Sequence, residues 1–133
     1  MNYILIGQKN VGKSSIFNRI NKKNLNIVNS IEGSTRDWIV SCVKNKKYSF
    51  NIFDTPGLEL NINKKNLEQI LKSITNSYSS NIKFLFVING KLKIRNEDKI
   101  ILNWLRTFNK EIIIIINKVD NKKMTIDNNI YYE

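Results

Sequence analysis

Gly7-Gln8-Lys9-Asn10-Val11-Gly12-Lys13-Ser14 is the stretch that decides the fold. Its spacing is G-x-x-x-x-G-K-S/T, with an apolar run, Tyr3-Ile4-Leu5-Ile6, before it and Ile16, Phe17 and Ile20 at helical spacing after it. Glycines let a backbone curl until successive N–H groups point inward, and a helix starting directly behind them adds partial positive charge at the same place. Such a loop holds phosphate. Lys13 is expected to reach the β- and γ-phosphates of a nucleotide and the Ser14 hydroxyl to ligate Mg²⁺. Gly7, Asn10, Val11, Gly12 and Ser15 complete the expected nucleotide-binding set in this segment.

Working outward, Tyr3 to Ile6, Phe84 to Ile88 and Ile112 to Ile116 are short continuous apolar runs, the pattern of parallel strands covered on both faces. All three are expected as central strands. Leu67, Ile70, Leu71, Ile74 and Tyr78, and then Ile100, Ile101, Trp104, Leu105 and Phe108, recur at spacings of three and four and predict two further helices, each with one apolar face. Asn96, ahead of Glu97 and Asp98, is expected to cap the second of these. Residues 38–44 and 48–54 alternate and are joined by Asn45-Lys46-Lys47, which predicts a hairpin. The order strand, helix, hairpin, helix, strand, helix, strand indicates an α/β doubly wound sheet, mostly parallel with one antiparallel hairpin strand and helices on both faces. Its ligand site belongs at the carboxyl ends of the strands. Trp38 and Trp104 read as packing residues.

Two more segments bear on the ligand. Asp54-Thr55-Pro56-Gly57 closes a strand, where a carboxylate can face a metal through water and the Gly57 N–H can approach a γ-phosphate. Alone it is also a common turn; behind a phosphate loop, with Thr35 between them as a second metal ligand, it reads as a switch. Asn117-Lys118-Val119-Asp120 follows the isoleucine strand. A carboxylate at Asp120 can accept hydrogen bonds from N1–H and the 2-amino group of guanine; adenine has neither donor, and would leave that carboxylate unpaired. Guanine is the expected base, and GTP or GDP the expected ligand.

Composition narrows the chemistry. A single cysteine, Cys42, and the absence of histidine exclude a disulfide framework, a Cys/His zinc site and any imidazole base. No side chain stands out as a general base, so Lys13 and Thr35 are expected to act through transition-state charge and water positioning. The chain has 133 residues and 41% hydrophobic residues, enough for one domain with a core. It has no run long enough to span a membrane and no secretory pattern, and it reads as cytoplasmic. The formal charge of +11 fits either a polyanionic partner such as RNA or an Ile-, Asn- and Lys-rich composition with no alanine, as an A+T-rich genome would encode.

With these elements in order, the chain resembles the translation-factor-related bacterial GTPases, and within them the first G domain of the Der (EngA) ribosome-assembly GTPases. The matching text is residues 10–19, Gly33-Ser34-Thr35-Arg36-Asp37, Asp54-Thr55-Pro56-Gly57-Leu58-Glu59, and Asp98 through Leu105 leading to Asn117-Lys118-Val119-Asp120. The pairing of Asn-Val-Gly-Lys-Ser with Thr-Arg-Asp is shared with Era-like and TrmE-like GTPases. The resemblance implies a P-loop G domain that binds GTP with Mg²⁺ (Ser14, Thr35, and Asp54 through water). It also implies γ-phosphate sensing by Thr35 and Gly57, and slow hydrolysis coupled to ribosome maturation on a ribosomal subunit or its rRNA. Asn10 stands where some relatives coordinate K⁺, and Leu58 where small signalling GTPases carry a water-orienting glutamine.

Three departures qualify the match. Gln8-Lys9 replaces the usual Arg-Pro, and Pro56 a more frequent Ala or Gly, and neither touches a side chain with an assigned role. Residues 1–121 read as a G domain lacking the usual last strand and helix, and residues 122–133 as a polar tail that could be disordered. The strand Ile112 to Ile116 would then be a sheet edge, open to a protein partner. Two other readings therefore stand beside a GTPase: a non-hydrolysing, nucleotide-dependent module that binds rRNA, and a truncated remnant of a Der-like GTPase.

Overall fold

A computed structural model describes residues 1–23, 26–31, 38–44, 46–78, 81–91 and 94–118, with the backbone alone at 22, 23 and 26–31. The chain alternates as β1 (Asn2–Gly7), α1 (Lys13–Lys23), β2 (Asn26–Ile31), β3 (Ile39–Lys44), β4 (Ser49–Asp54), α2 (Lys64–Ser77), β5 (Ile82–Asn89), α3 (Asn96–Arg106) and β6 (Glu111–Asn117). The strands form one sheet in the order β2-β3-β4-β1-β5-β6. β1 lies between β4 and β5 and is parallel to both, and β6 is parallel to β5. β3 is antiparallel to both neighbours, so it alone runs against the other strands.

Side-chain alternation along β1 builds a core on each face of the sheet. Ile4 and Ile6 join Phe53, Phe84, Phe86 and the buried stripes of α2 and α3, while Leu5 joins Ile52, Val87 and Phe17 of α1. Phe53, Phe84 and Phe86 are fully buried, each contributing about 2–3 kcal/mol by removal from water. Helices thus cover both faces, α1 on one and α2 with α3 on the other. Trp38 is a packing residue: its ring lies 5.5 Å from that of Phe53 and 6.4 Å from that of Tyr78. Trp104 is half-buried against the same core.

Four expectations change. β2 was not foreseen, because Asn26-Ile27-Val28-Asn29-Ser30-Ile31 is polar at half its positions; its pairing with β3 makes it a strand. β6 is not a central strand as its apolar run suggested but an edge, the other expectation held for it: among the described residues it pairs with β5 alone, and its Ile113 is 37% exposed. On α3, Ile100 is 50% exposed and Leu102 takes its place in the core. The N-cap of α3 is Arg95, not Asn96, and its backbone N–H donates to Asp98 Oδ2 at 3.2 Å. The β6 register is reinforced where Lys83 Nζ meets Glu111 Oε2 at 2.9 Å, a hydrogen bond and charge that raise the Lys83 pKa above its usual 10.5.

Candidate functional site

The carboxyl ends of β1, β4 and β6 converge on the phosphate loop. Between Gly7 and Lys13 the backbone turns through two left-handed positions, Asn10 at φ 66° and Gly12 at φ 90°. Asparagine tolerates that region and glycine enters it freely. Gly12 is constrained twice over, since a Cβ there would lie 2.1 Å from Asn117 Nδ2. The Gly12 carbonyl accepts the Ile16 N–H at 3.1 Å, so α1 begins its hydrogen bonding inside the loop. A cleft of about 280 Å³ opens here, lined by residues 8–10, Gly12, Lys13, Ser14, Ser15 and Gly57. Val11 is buried beneath it in the α1-side core.

Lys13 is buried, with its ammonium on Asp54 Oδ1 at 2.7 Å and on the Thr55 carbonyl. Ser14 Oγ donates to Asp54 Oδ2 at 3.1 Å. Two positions separated by forty residues are thereby brought to one point, because β4 pairs directly with β1. Thr55 is a residue that sequence reasoning left without a role: its Oγ1 donates to the Leu5 carbonyl at 2.6 Å and fixes the chain just past Asp54. A hydroxyl and a carboxylate sharing one point are hard oxygen donors of the kind Mg²⁺ takes, and the Lys13 ammonium beside them suits phosphate, so these residues fit both. The contacts that Lys13 and Asp54 make with each other are those a nucleotide and its metal would exchange for their own.

Asn117 and Lys118, which open the segment expected to read the base, are seated on the same loop. Asn117 Nδ2 donates to the Val11 carbonyl at 2.8 Å, and Lys118, at φ 63°, donates to the Asn10 carbonyl. Thr35, Val119 and Asp120 lie outside the described residues, as does the tail 122–133.

Gly57 stands against the phosphate loop so closely that a Cβ would meet Lys9 Cα at 3.1 Å. The Leu58 N–H donates to the Gly7 carbonyl at 2.8 Å, and its side chain is buried in the core rather than facing the cleft. It has no way to orient water. Gln8 and Lys9, unassigned by motif, both have partners: Gln8 Nε2 donates to Asp98 Oδ1 at 2.7 Å, tying the loop to α3, and Lys9 forms an ion pair with Glu59. Asp98 is buried and so had to be paired; an acidic residue inside an apolar helix face was the available signal. Asn63, at the start of α2, also bonds back to this segment, and no motif announced it.

Fold and loop together define the class: a P-loop nucleotide-binding α/β domain with its ligand cleft at the strand ends. The chain belongs to the family described as 50S ribosome-binding GTPase, whose sequence profile matches residues 2–118. It is 37% identical over 123 residues to the GTPase Der of Macrococcus caseolyticus, covering 92% of this chain and 28% of that protein. The GTPase Der of Listeria welshimeri is 37% identical over 120 residues, covering 90% and 27%. The chain therefore spans little more than a quarter of these relatives' length. Among solved structures, a putative nucleolar GTP-binding protein 1 from Plasmodium falciparum superposes with a TM-score of 0.65 at 30% identity, over 96% of this chain and 65% of that one. The cytosolic domain of the T. maritima FeoB iron transporter gives 0.65 at 21% identity, over 96% and 49%, a likeness of fold.

Proposed function

We propose that this domain binds GTP and GDP with Mg²⁺, hydrolyses GTP slowly, and serves ribosome assembly in the cytoplasm as part of a Der-type system. The observation that supports the reading is the Asn117 carboxamide on the Val11 carbonyl at 2.8 Å, which ties Asn117, the first residue of the segment proposed to select the base, to the phosphate loop. On this reading the loop N–H groups and Lys13 bind the β- and γ-phosphates, and Ser14, Thr35 and, through water, Asp54 hold the metal. Gly57 and Thr35 contact the γ-phosphate, and Asp120 pairs with guanine. Bound Mg²⁺ would supply neutralisation of phosphate charge. Asn10 is the residue for a K⁺ ion adding to that neutralisation. Leu58 is buried, so water is positioned by Thr35 and backbone rather than by a glutamine, and hydrolysis is slow without a partner or cation.

The ribosomal subunit or its rRNA is the proposed partner, supported by the family and by the charge of +11. Among the described residues β6 pairs with β5 alone, and its other edge at Ile112 to Ile116 is proposed as a strand-pairing surface for a protein partner. The test is competition of GTP, ATP and xanthosine triphosphate against a fluorescent GDP, followed by phosphate release with and without K⁺ and ribosomal subunits. GTP should outcompete ATP, and Asp120→Asn should transfer the preference to the xanthine nucleotide. Equal affinity for ATP and GTP rejects the base assignment, and binding without phosphate release under any condition rejects hydrolysis.

A further inference from the structure

Asn63 occupies the N-cap of α2, where an asparagine ordinarily turns its side-chain oxygen onto the free N–H groups of its own helix. Here it makes no such bond, although the first turn carries Lys64 and Lys65 and no acidic residue to offset the exposed N–H groups. Its carboxamide points the other way. Nδ2 donates to the Gly57 carbonyl at 2.9 Å and Oδ1 accepts the Glu59 N–H at 2.8 Å. The peptide joining Gly57 to Leu58 is thereby held at both ends, because its N–H already donates to the Gly7 carbonyl at 2.8 Å.

We infer that Asn63 is a positioning residue for γ-phosphate recognition. The inference rests on the proposed contact between the Gly57 N–H and the γ-phosphate. Glycine is the most conformationally free residue, and a glycine N–H that must meet a ligand loses that freedom on binding. With the following peptide held between Gly7 and Asn63, most of the freedom is removed before the ligand arrives. The same clamp ties the sensing segment to a helix: the Asn63 carbonyl accepts the Leu67 N–H at 2.9 Å and its own N–H donates to the Glu59 carbonyl at 3.1 Å. A displacement of Gly57 is passed to the first turn of α2. Loss of a helix cap is the cost of this arrangement, and the chain accepts it at a position that touches both segments.

The test uses the full 133-residue chain as wild type, Asn63→Asp and Asn63→Ser, each titrated with GDP and with the β,γ-imido analogue of GTP and melted without nucleotide. Aspartate and serine are good N-caps, so α2 keeps or gains stability, but the aspartate carboxylate has no proton to donate to the Gly57 carbonyl, and the serine hydroxyl is one atom too short to bridge Gly57 and Glu59 as the carboxamide does. The expected result is a preference for the GTP analogue over GDP that falls about fivefold, the factor one hydrogen bond is worth, with GDP affinity and Tm at or above the wild-type value. If both nucleotides weaken by the same factor, Asn63 merely shapes the loop and the inference is overturned. Should one variant melt lower than wild type, the other decides. A wild-type chain that binds neither nucleotide rejects the proposed function itself, and this inference with it, before any variant is compared.

Discussion

Asn117 Nδ2 lies 2.8 Å from the Val11 carbonyl, joining residues 106 positions apart and leaving no room for a side chain at Gly12 between them. One hydrogen bond thus sets the spacing between the phosphate loop and the start of the segment proposed to read the base.

Gly12→Ala tests that spacing. The new methyl would sit 2.1 Å from Asn117 Nδ2 at φ 90°, so either the bond breaks or the loop moves. The left-handed backbone alone costs about 1–2 kcal/mol. A fluorescent GDP titration should show affinity down by about tenfold or more, with a lower Tm.

Lys13 and Asp54 form an ion pair with side chains 7% and 12% exposed. Removing one partner of so buried a pair leaves the other charge uncompensated, at about 3 kcal/mol. Lys13→Ala should therefore unfold at lower urea concentration as well as lose nucleotide binding. Adding Asp54→Ala should restore much of the stability and none of the binding; a double variant no more stable than the single one would show that the pair is not the cause.

Leu58 stands at the position of a catalytic glutamine in other GTPases, and substituting it tempts as a route to faster hydrolysis. Its side chain is 1% exposed, in the core. Leu58→Gln would bury an amide without partners and cost about 2 kcal/mol. A phosphate-release assay should show no rise in kcat, while the Tm falls by several degrees.

Trp38 is 4% exposed against Phe53 and Tyr78, whereas Trp104 is half-buried with Lys64 Nζ 5.6 Å from its ring. Trp38→Ala should cost about 3–5 kcal/mol by equilibrium denaturation. Trp104→Ala should cost less, because less of its surface leaves water on folding.

Much of this protein is legible in the sequence because the deciding features are local. The loop from Gly7 to Ser14 owes its shape to glycine conformational freedom and to the helix that starts at Lys13, both written in consecutive residues. The apolar runs of β1 and β5 mark strands buried on two faces, since burial on both sides removes the polar alternation. β2 was not legible: its asparagines and serine obscure the pattern, and its pairing with β3 supplies what the residues do not announce. The partners of Gln8, Lys9 and Thr55 were likewise hidden, because each depends on which strand or helix end lies alongside.

The sequence by itself determined that the chain forms a nucleotide-binding α/β domain with a phosphate loop, for that loop is a backbone shape set by neighbouring residues. Tertiary structure alone decided that Lys13 meets Asp54 and Thr55, that Asn117 rests on Val11, that Leu58 turns into the core, and that Asn63 reaches back to Gly57. The physical reason is the same in each case. A hydrogen bond or buried contact forms only where sheet pairing and helix packing bring two groups within a few ångströms, and no spacing along the chain encodes that distance.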